Sequence, residues 1–384
     1  MSEPDPPSAA VDNELISRDI AARFGGERAI CVGFPHWRAF NLRPFLSPWR
    51  RARFVADAPA AAALAPGAAD SLIWWGCEVP AALEALAGEC RCRLLRIEDG
   101  FYRSVGLGSD YIPPLSLIFD ASGLYLDARS TSDLEHILST AEFTAAELAR
   151  AAAVRRRIVD SGLTKYNLSL PGRCDWPATD RAVVLVVGQV EDDASILYGC
   201  DGVATNRALL EAARRDHPGA LLVYKPHPEV EAGNRAGHLG GYGLADLVEH
   251  EAAIASCIEA ADIVVTMTSL SGFEALLRGK QVEVHGRPFY AGWGLTRDRL
   301  AMPRRGRALS LDALVAGTLI RYPVYWDPLA RRFTTVETVL ERLCDKRDRL
   351  AARGRLHRLQ TGDLARRIRK LRVVRARLAE ALRR

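Results

Sequence analysis

Five short segments of this 384-residue chain gather side chains that could do chemistry. Residues 188–195 (GQVEDDAS) set Glu191, Asp192 and Asp193 directly behind an apolar run. Carboxylates this close repel one another unless a cation, a substrate or solvent answers them. That suits a nucleophile, an acid/base group or a metal ligand; the plainer reading is a solvated cap for the next helix. Residues 224–228 (YKPHP) hold Lys225 and His227 on a turn stiffened by two prolines. Such a pair binds a phosphate or protonates a leaving group, or is only a rigid connection with a surface imidazole. Residues 266–274 (TMTSLSGFE) bring Thr268, Ser269 and Ser271 to the start of a helix that contains Glu274. Hydroxyls and free N–H groups there bind anions, or simply cap the helix. Residues 98–108 (EDGFYRSVGLG) offer Glu98 or Asp99 for acid/base work and Arg103 for a carboxylate; a turn closed by a structural Asp–Arg pair is the alternative. Their glycines miss the register of a dinucleotide fingerprint. In residues 289–294 (FYAGWG) the aromatics suit either a sugar platform or a core.

These segments share a place in the chain's rhythm. Apolar runs at 28–34, 53–56, 71–75 and 92–97 read as strands, and 80–89 as a helix with its proline early. A helical stretch at 145–159 closes the first half, and 167–180, with two prolines and a glycine, reads as a linker. The alternation restarts with strands at 182–187, 220–224, 262–266 and 282–284, and helices at 206–214, 247–260 and 271–278. The run AVVLVV is continuous, as in a strand covered on both faces. Alternating strands and helices imply parallel α/β sheets, in which ligands bind beyond the carboxyl ends of strands. Glu98-Asp99, Gly188-Gln189, Lys225/His227 and 266–271 all fall at such ends, so one shared site is expected.

Composition narrows the class. Hydrophobic residues make up 48% and charged ones 26%, which excludes a disordered chain or a fibre. No run of 18 apolar residues occurs, and 1–15 lacks the basic start and apolar stretch of a secretory signal, so a cytoplasmic location is expected. The eight cysteines are scattered without a C-x-x-C pair, so buried reduced thiols are expected rather than zinc or disulfides. Phosphate-loop, zincin and α/β-hydrolase motifs are absent. The net charge of +5 divides unevenly: residues 345–384 hold 15 Lys and Arg against 4 Asp and Glu, the remaining 344 residues 37 against 43. A basic nucleic-acid-binding body is disfavoured. In the tail, Leu364, Ile368, Leu371, Val374, Leu378 and Leu382 form a helical stripe among arginines. It reads as a helix on anionic lipid, a partner-docking helix, or a helix packed on its own acidic body.

The ordered set EDGFYRSVGLGSDYIPPLSLIFD, KYNL, GQVEDDAS, YKPHP, MTSLSGFEALLRGK and GRPFYAGWG resembles the KpsC/LipA-type capsule proteins, which are β-Kdo glycosyltransferases. The match runs over about residues 96–327; such proteins typically carry two modules in tandem, and this length holds one. The resemblance implies a GT-B fold: two Rossmann-like domains with an interdomain cleft, here followed by a basic C-terminal helical tail. The expected division is a flexible start at 1–25, an acceptor-side domain at 26–165, a linker at 166–180, a CMP-sugar-binding domain at 181–344 and the tail at 345–384. It implies CMP-Kdo as donor, no tightly bound cofactor and no required metal, a glycan or glycolipid acceptor, and no nucleic acid. In the lipid reading of its stripe, the tail would lie on the anionic inner-membrane surface. Retention of β configuration implies double displacement. The nucleophile is expected at Asp193 or else Asp192, the general base at Glu98 or Asp99, and help to the leaving CMP from His227 and Lys225. Ser269, Ser271, Thr268 and Glu274 would line the phosphate site, and Gln189, Lys165, Tyr166 and Asn167 the donor. Arg103 is expected to meet the Kdo carboxylate.

Overall fold

The computed structural model describes residues 9–231, 235–237, 239, 243–356 and 359. The apolar stripe expected over 364–382 lies outside them. The strands, in chain order, are β1 (Gly26–Val32), β2 (Trp49–Val55), β3 (Ser71–Trp75), β4 (Arg93–Asp99), β5 (Ser116–Asp120), β6 (Val183–Val187), β7 (Leu221–Lys225), β8 (Leu247–Val248), β9 (Ile263–Thr266), β10 (Gln281–Val284), β11 (Arg297–Asp298), β12 (Val324–Asp327) and β13 (Arg332–Thr334). They form two sheets in two compact units.

The first unit's sheet runs β13-β12-β5-β4-β3-β1-β2. Strands β2, β1, β3 and β4 are parallel, while β5, β12 and β13 alternate antiparallel at one edge. From β1 the chain steps to β2 on one side, then returns to β3 on the other. That reversal makes the carboxyl ends of β1 and β3 a topological switch point. Alternation sorts β4: Leu95 and Ile97 enter a core with Phe45, Trp49 and Phe119, so Glu98 falls on the opposite face.

The second unit's sheet is wholly parallel in the order β11-β10-β9-β6-β7-β8. Counted from β6, this is the nucleotide-binding order 3-2-1-4-5-6, with its switch point between β6 and β9. Val184, Val186, Leu222, Tyr224 and Val265 build its core against the helix Asn206–Asp216.

Three features depart from the sequence reading. The unit boundary does not follow the 26–165 and 181–344 division: of the described residues, unit one holds 9–122, 165–168 and those from 322 on, and unit two holds those of 123–164 and 169–321. Sheet hydrogen bonds carry β12 back onto β5, while Arg155–Asp312 at 2.9 Å and Arg321–Glu147 at 2.6 Å tie the helix Ala145–Ser161 to unit two. Residues 345–352 extend the helix Val336–Ala352, anchored on β12 by Arg342–Asp327 at 2.9 Å, rather than opening a separate tail. The helix expected at 247–260 is the short strand β8 followed by a helix only at Ile254–Ala260. Glu249 delays its start, its Oε1 accepting the N–H groups of Glu251 and Ala252, each at 2.9 Å. No helix among the described residues is long and apolar enough to cross a membrane.

Candidate functional site

In the second unit the switch point is closed by one side chain. Gln189 follows β6 and is only 6% exposed. Its Oε1 accepts from Thr266 Oγ1 (3.1 Å) and from the N–H groups of Met267 (3.2 Å), Thr268 (2.9 Å) and Ser269 (3.1 Å). Its Nε2 donates to Thr268 Oγ1 at 3.0 Å. Buried Asn206 fixes the Gln189 backbone, exchanging two bonds of 2.8 Å. Gly188 is required beside it: a Cβ there would meet Tyr224 Oη at 2.5 Å. Gln189, expected to touch a donor, is thus the staple joining the ends of β6 and β9. It also takes three N–H groups expected to be open to an anion.

The carboxylates beyond Gln189 are not equivalent. Asp192 is exposed and pairs with Arg235 at 3.0 Å. Asp193 is half-buried and caps the helix Ala194–Gly199; its Oδ1 accepts from Ser195 N (3.0 Å) and Ser195 Oγ (2.8 Å). Ser195 Oγ in turn lies 3.0 Å from Thr268 Oγ1, which extends the Gln189 network to Asp193. Among the described residues Asp193 Oδ2 accepts no hydrogen bond, so one oxygen is anchored and the other is open. Glu191 instead accepts Asn206 N–H at 2.7 Å, a structural role.

At the end of β7, Lys225 Nζ donates to His250 O at 2.8 Å. His227 Nδ1 accepts Glu229 N–H at 3.2 Å, so a neutral ring would carry its proton on Nε2. Ser269 caps the helix Leu270–Leu277 through Ser271 N–H at 3.2 Å, and Tyr290 Oη donates to Ser269 O at 2.6 Å. Ser271 is partly exposed at the helix start, whereas Glu274 is buried at 3% exposure. The aromatics of 289–294 are core: Tyr290 and Trp293 are fully buried, and Trp293 Nε1 donates to Phe289 O at 2.8 Å. They form no sugar platform.

In the first unit the end of β4 carries Glu98, partly accessible but densely surrounded. Burial and the neighbouring Asp99 charge raise its pKa to about 7, against the opposing pull of Lys165, the Asp99 N–H and Arg38. That is the range in which a carboxylate exchanges protons at neutral pH. Arg103, expected to meet a substrate carboxylate, is only 2% exposed and already claimed. It pairs with Asp99 at 2.6 Å and donates to Ser104 Oγ and Ile112 O, both at 2.9 Å. The structural reading of this loop therefore holds, and Asp99 is committed with it.

Lys165, Tyr166 and Asn167, expected around the donor, pack in the first unit against the Glu98 loop. Lys165 O accepts Arg103 N–H at 3.2 Å, Tyr166 O accepts Gly106 N–H at 2.8 Å, and Asn167 Nδ2 donates to Ser104 O at 3.1 Å. Asn167 adopts φ of 51°, a turn that asparagine tolerates. Sequence reasoning missed Arg38, which stacks on Trp75 at 4.1 Å and Trp37 at 4.9 Å, with Trp37 stacked in turn on Tyr111 at 4.7 Å. The signal was present: PHWRAFN directly follows the first strand's end and Trp74-Trp75 ends the third.

Residues 174–325 match the family model described as capsule polysaccharide biosynthesis protein. The chain is 42% identical over 334 residues to the capsule polysaccharide modification protein LipA of Neisseria meningitidis serogroup A, covering 85% of this chain and 47% of LipA. Its fold is similar to two structures of Thermosulfurimonas dismutans KpsC. The beta Kdo 2,4 transferase has 31% identity and a TM-score of 0.71 over 82% of this chain and 97% of that one. The beta Kdo 2,7 transferase has 32% identity and a TM-score of 0.68 over 83% and 99%. The chain thus spans about half the length of the curated LipA protein and nearly all of each KpsC structure.

Proposed function

Because this chain belongs to the KpsC/LipA-type family of capsule polysaccharide proteins, we propose that it is a glycosyltransferase moving Kdo from CMP-β-Kdo to a lipid-linked capsule or other surface glycan, with retention. The observation that carries this is Asp193 at the β6 end, one oxygen anchored by Ser195 and the other open, in a chain with Kdo transferase relatives. Asp193 Oδ2 attacks the anomeric carbon as its bond to the CMP phosphate oxygen breaks, giving a glycosyl ester and free CMP. His227 Nε2–H and the Lys225 charge answer the leaving phosphate, joined by the Ser269 and Ser271 hydroxyls. Glu98 then takes the acceptor hydroxyl's proton while that oxygen displaces Asp193 and restores the carboxylate. Two inversions give net retention. Asp192, exposed and paired with Arg235, is the weaker nucleophile candidate.

A metal is not required in this reading. CMP carries one phosphate, and a cation, an imidazole and hydroxyls meet its charge. The basic residues beyond 345 would hold the enzyme against anionic lipid at the cytoplasmic face.

The test is CMP release from CMP-Kdo, generated in situ, beside CMP-sialic acid, with a Kdo-terminated glycolipid as acceptor. The expected result is acceptor-dependent release from CMP-Kdo alone. Release from CMP-sialic acid alone would move the donor to another CMP-linked acidic sugar. Absence of both release and CMP binding would point to a non-catalytic assembly component.

A further inference from the structure

The first unit holds a cation with no hydrogen-bond or ion-pair partner among the described residues. Arg38 lies on the helix His36–Leu42, just past the end of β1, and Trp75 ends β3. These are the two strand ends at which the first sheet reverses, where an open α/β sheet receives ligands. Among the described residues Arg38 makes no hydrogen bond and no ion pair, and its buried Nε has no partner. Its guanidinium instead rests on the faces of Trp75 and Trp37. Burial lowers its proton affinity; Glu98 and Asp99 raise it, and Arg103 lowers it further.

One helical turn on, Asn41 is 6% exposed, and neither its Oδ1 nor its Nδ2 has a partner. Residues three apart share a helix face, so the two orphaned side chains are neighbours. Buried polar groups are almost always satisfied, and two unsatisfied on one face point to a missing ligand. Arg103, in the same unit, is the contrast: it pairs with Asp99 at 2.6 Å and donates to Ser104 Oγ and Ile112 O.

We propose that Arg38 and Asn41, with the Trp75 and Trp37 rings, form a subsite for the carboxylate of an acidic sugar ring on the acceptor. The guanidinium fork takes the carboxylate and the Asn41 amide a ring hydroxyl. The accessible part of the half-buried Trp75 indole takes the apolar face of the pyranose. The rings hold the cation's plane in place, so little side-chain freedom is lost when the anion arrives. The inference rests on the transferase reading for the word acceptor, but its chemistry does not.

The experiment titrates the full chain with the methyl glycoside of Kdo, its carboxyl-reduced analogue and inorganic phosphate, following tryptophan fluorescence. Wild type should bind the carboxylate form at least tenfold more tightly than the reduced one. Arg38→Met should lose that discrimination and Arg38→Lys keep part of it. Equal binding of the two sugars by wild type would overturn the proposal even if every variant misfolded. So would unchanged discrimination in Arg38→Met, or phosphate competing as well as the sugar. If discrimination depends on Arg38 but CMP-Kdo is never consumed, the subsite stands and the transferase reading falls.

Discussion

The two strand-end clusters are built on opposite principles. In the second unit the groups around the β6/β9 reversal are tied into one network: Gln189 accepts four bonds, Thr268 and Ser195 pass it on, and among the described residues Asp193 keeps one open oxygen. In the first unit the cluster holds Glu98 with its proton affinity raised, an unclaimed Arg38 and an orphaned Asn41. A satisfied network fixes one reactive atom and loses nothing to rearrangement during bond making. A carboxyl of raised proton affinity and an arginine without a hydrogen bond suit the reverse: exchange of a proton and receipt of an anion. Under the proposed transferase function, bond making would fall to the second unit, and proton transfer with acceptor recognition to the first.

The strongest way to break this contrast is at Asp193. Asp193→Asn keeps the cap but removes the nucleophile, so CMP-Kdo turnover should fall more than about 10³-fold, while Asp192→Asn should change it only a few-fold. Equal losses would mean that the open oxygen does not decide reactivity. Next, Glu98→Gln should lower acceptor-dependent transfer by about 10²–10⁴-fold with CMP binding unchanged by calorimetry. In wild type the rate should rise with pH up to about 7, as Glu98 becomes a base, and that limb should vanish in the variant.

The same group gives a stability test. A carboxyl raised from 4.5 to about 7 on folding binds more protons folded than unfolded between those values. Stability therefore falls as pH rises through that window, by at most about 3 kcal/mol, less for the part that solvent screens. Urea melts at pH 5 and pH 8 should differ less in Glu98→Gln than in wild type.

Gln189→Ala should cost about 2–4 kcal/mol in the same melts, because three backbone N–H groups and a hydroxyl lose their acceptor. The smallest effect is expected at Gly272, whose Cβ would collide with Tyr290 Oη. Gly272→Ala should lower stability by about 1–3 kcal/mol and loosen the Tyr290–Ser269 bond at the helix start.

Local patterns carried the strands and the placing of Glu98, Gln189, Lys225 and Ser269 at their ends, because apolar runs and turn residues are local signals. What stayed hidden depends on distant partners. The return of β12 to β5 is written in hydrogen bonds between residues about 200 apart. Arg103 looked like a ligand until Asp99 and the Ile112 carbonyl were seen to hold it. FYAGWG suited a platform until its rings proved buried. Arg38 sits in a strand-end segment that the sequence does show, but its stacking on Trp75 and its lack of a hydrogen-bond partner depend on residues distant in the chain.

The assignment of bond making and proton transfer to different units is tested most directly by intact mass spectrometry of Glu98→Gln incubated with CMP-Kdo, followed by peptide mapping. With the nucleophile present and the base removed, one Kdo should accumulate as an ester on Asp193, and Asp193→Asn should show none. Kdo mapped to another residue, or rapid turnover without any adduct, would contradict the account.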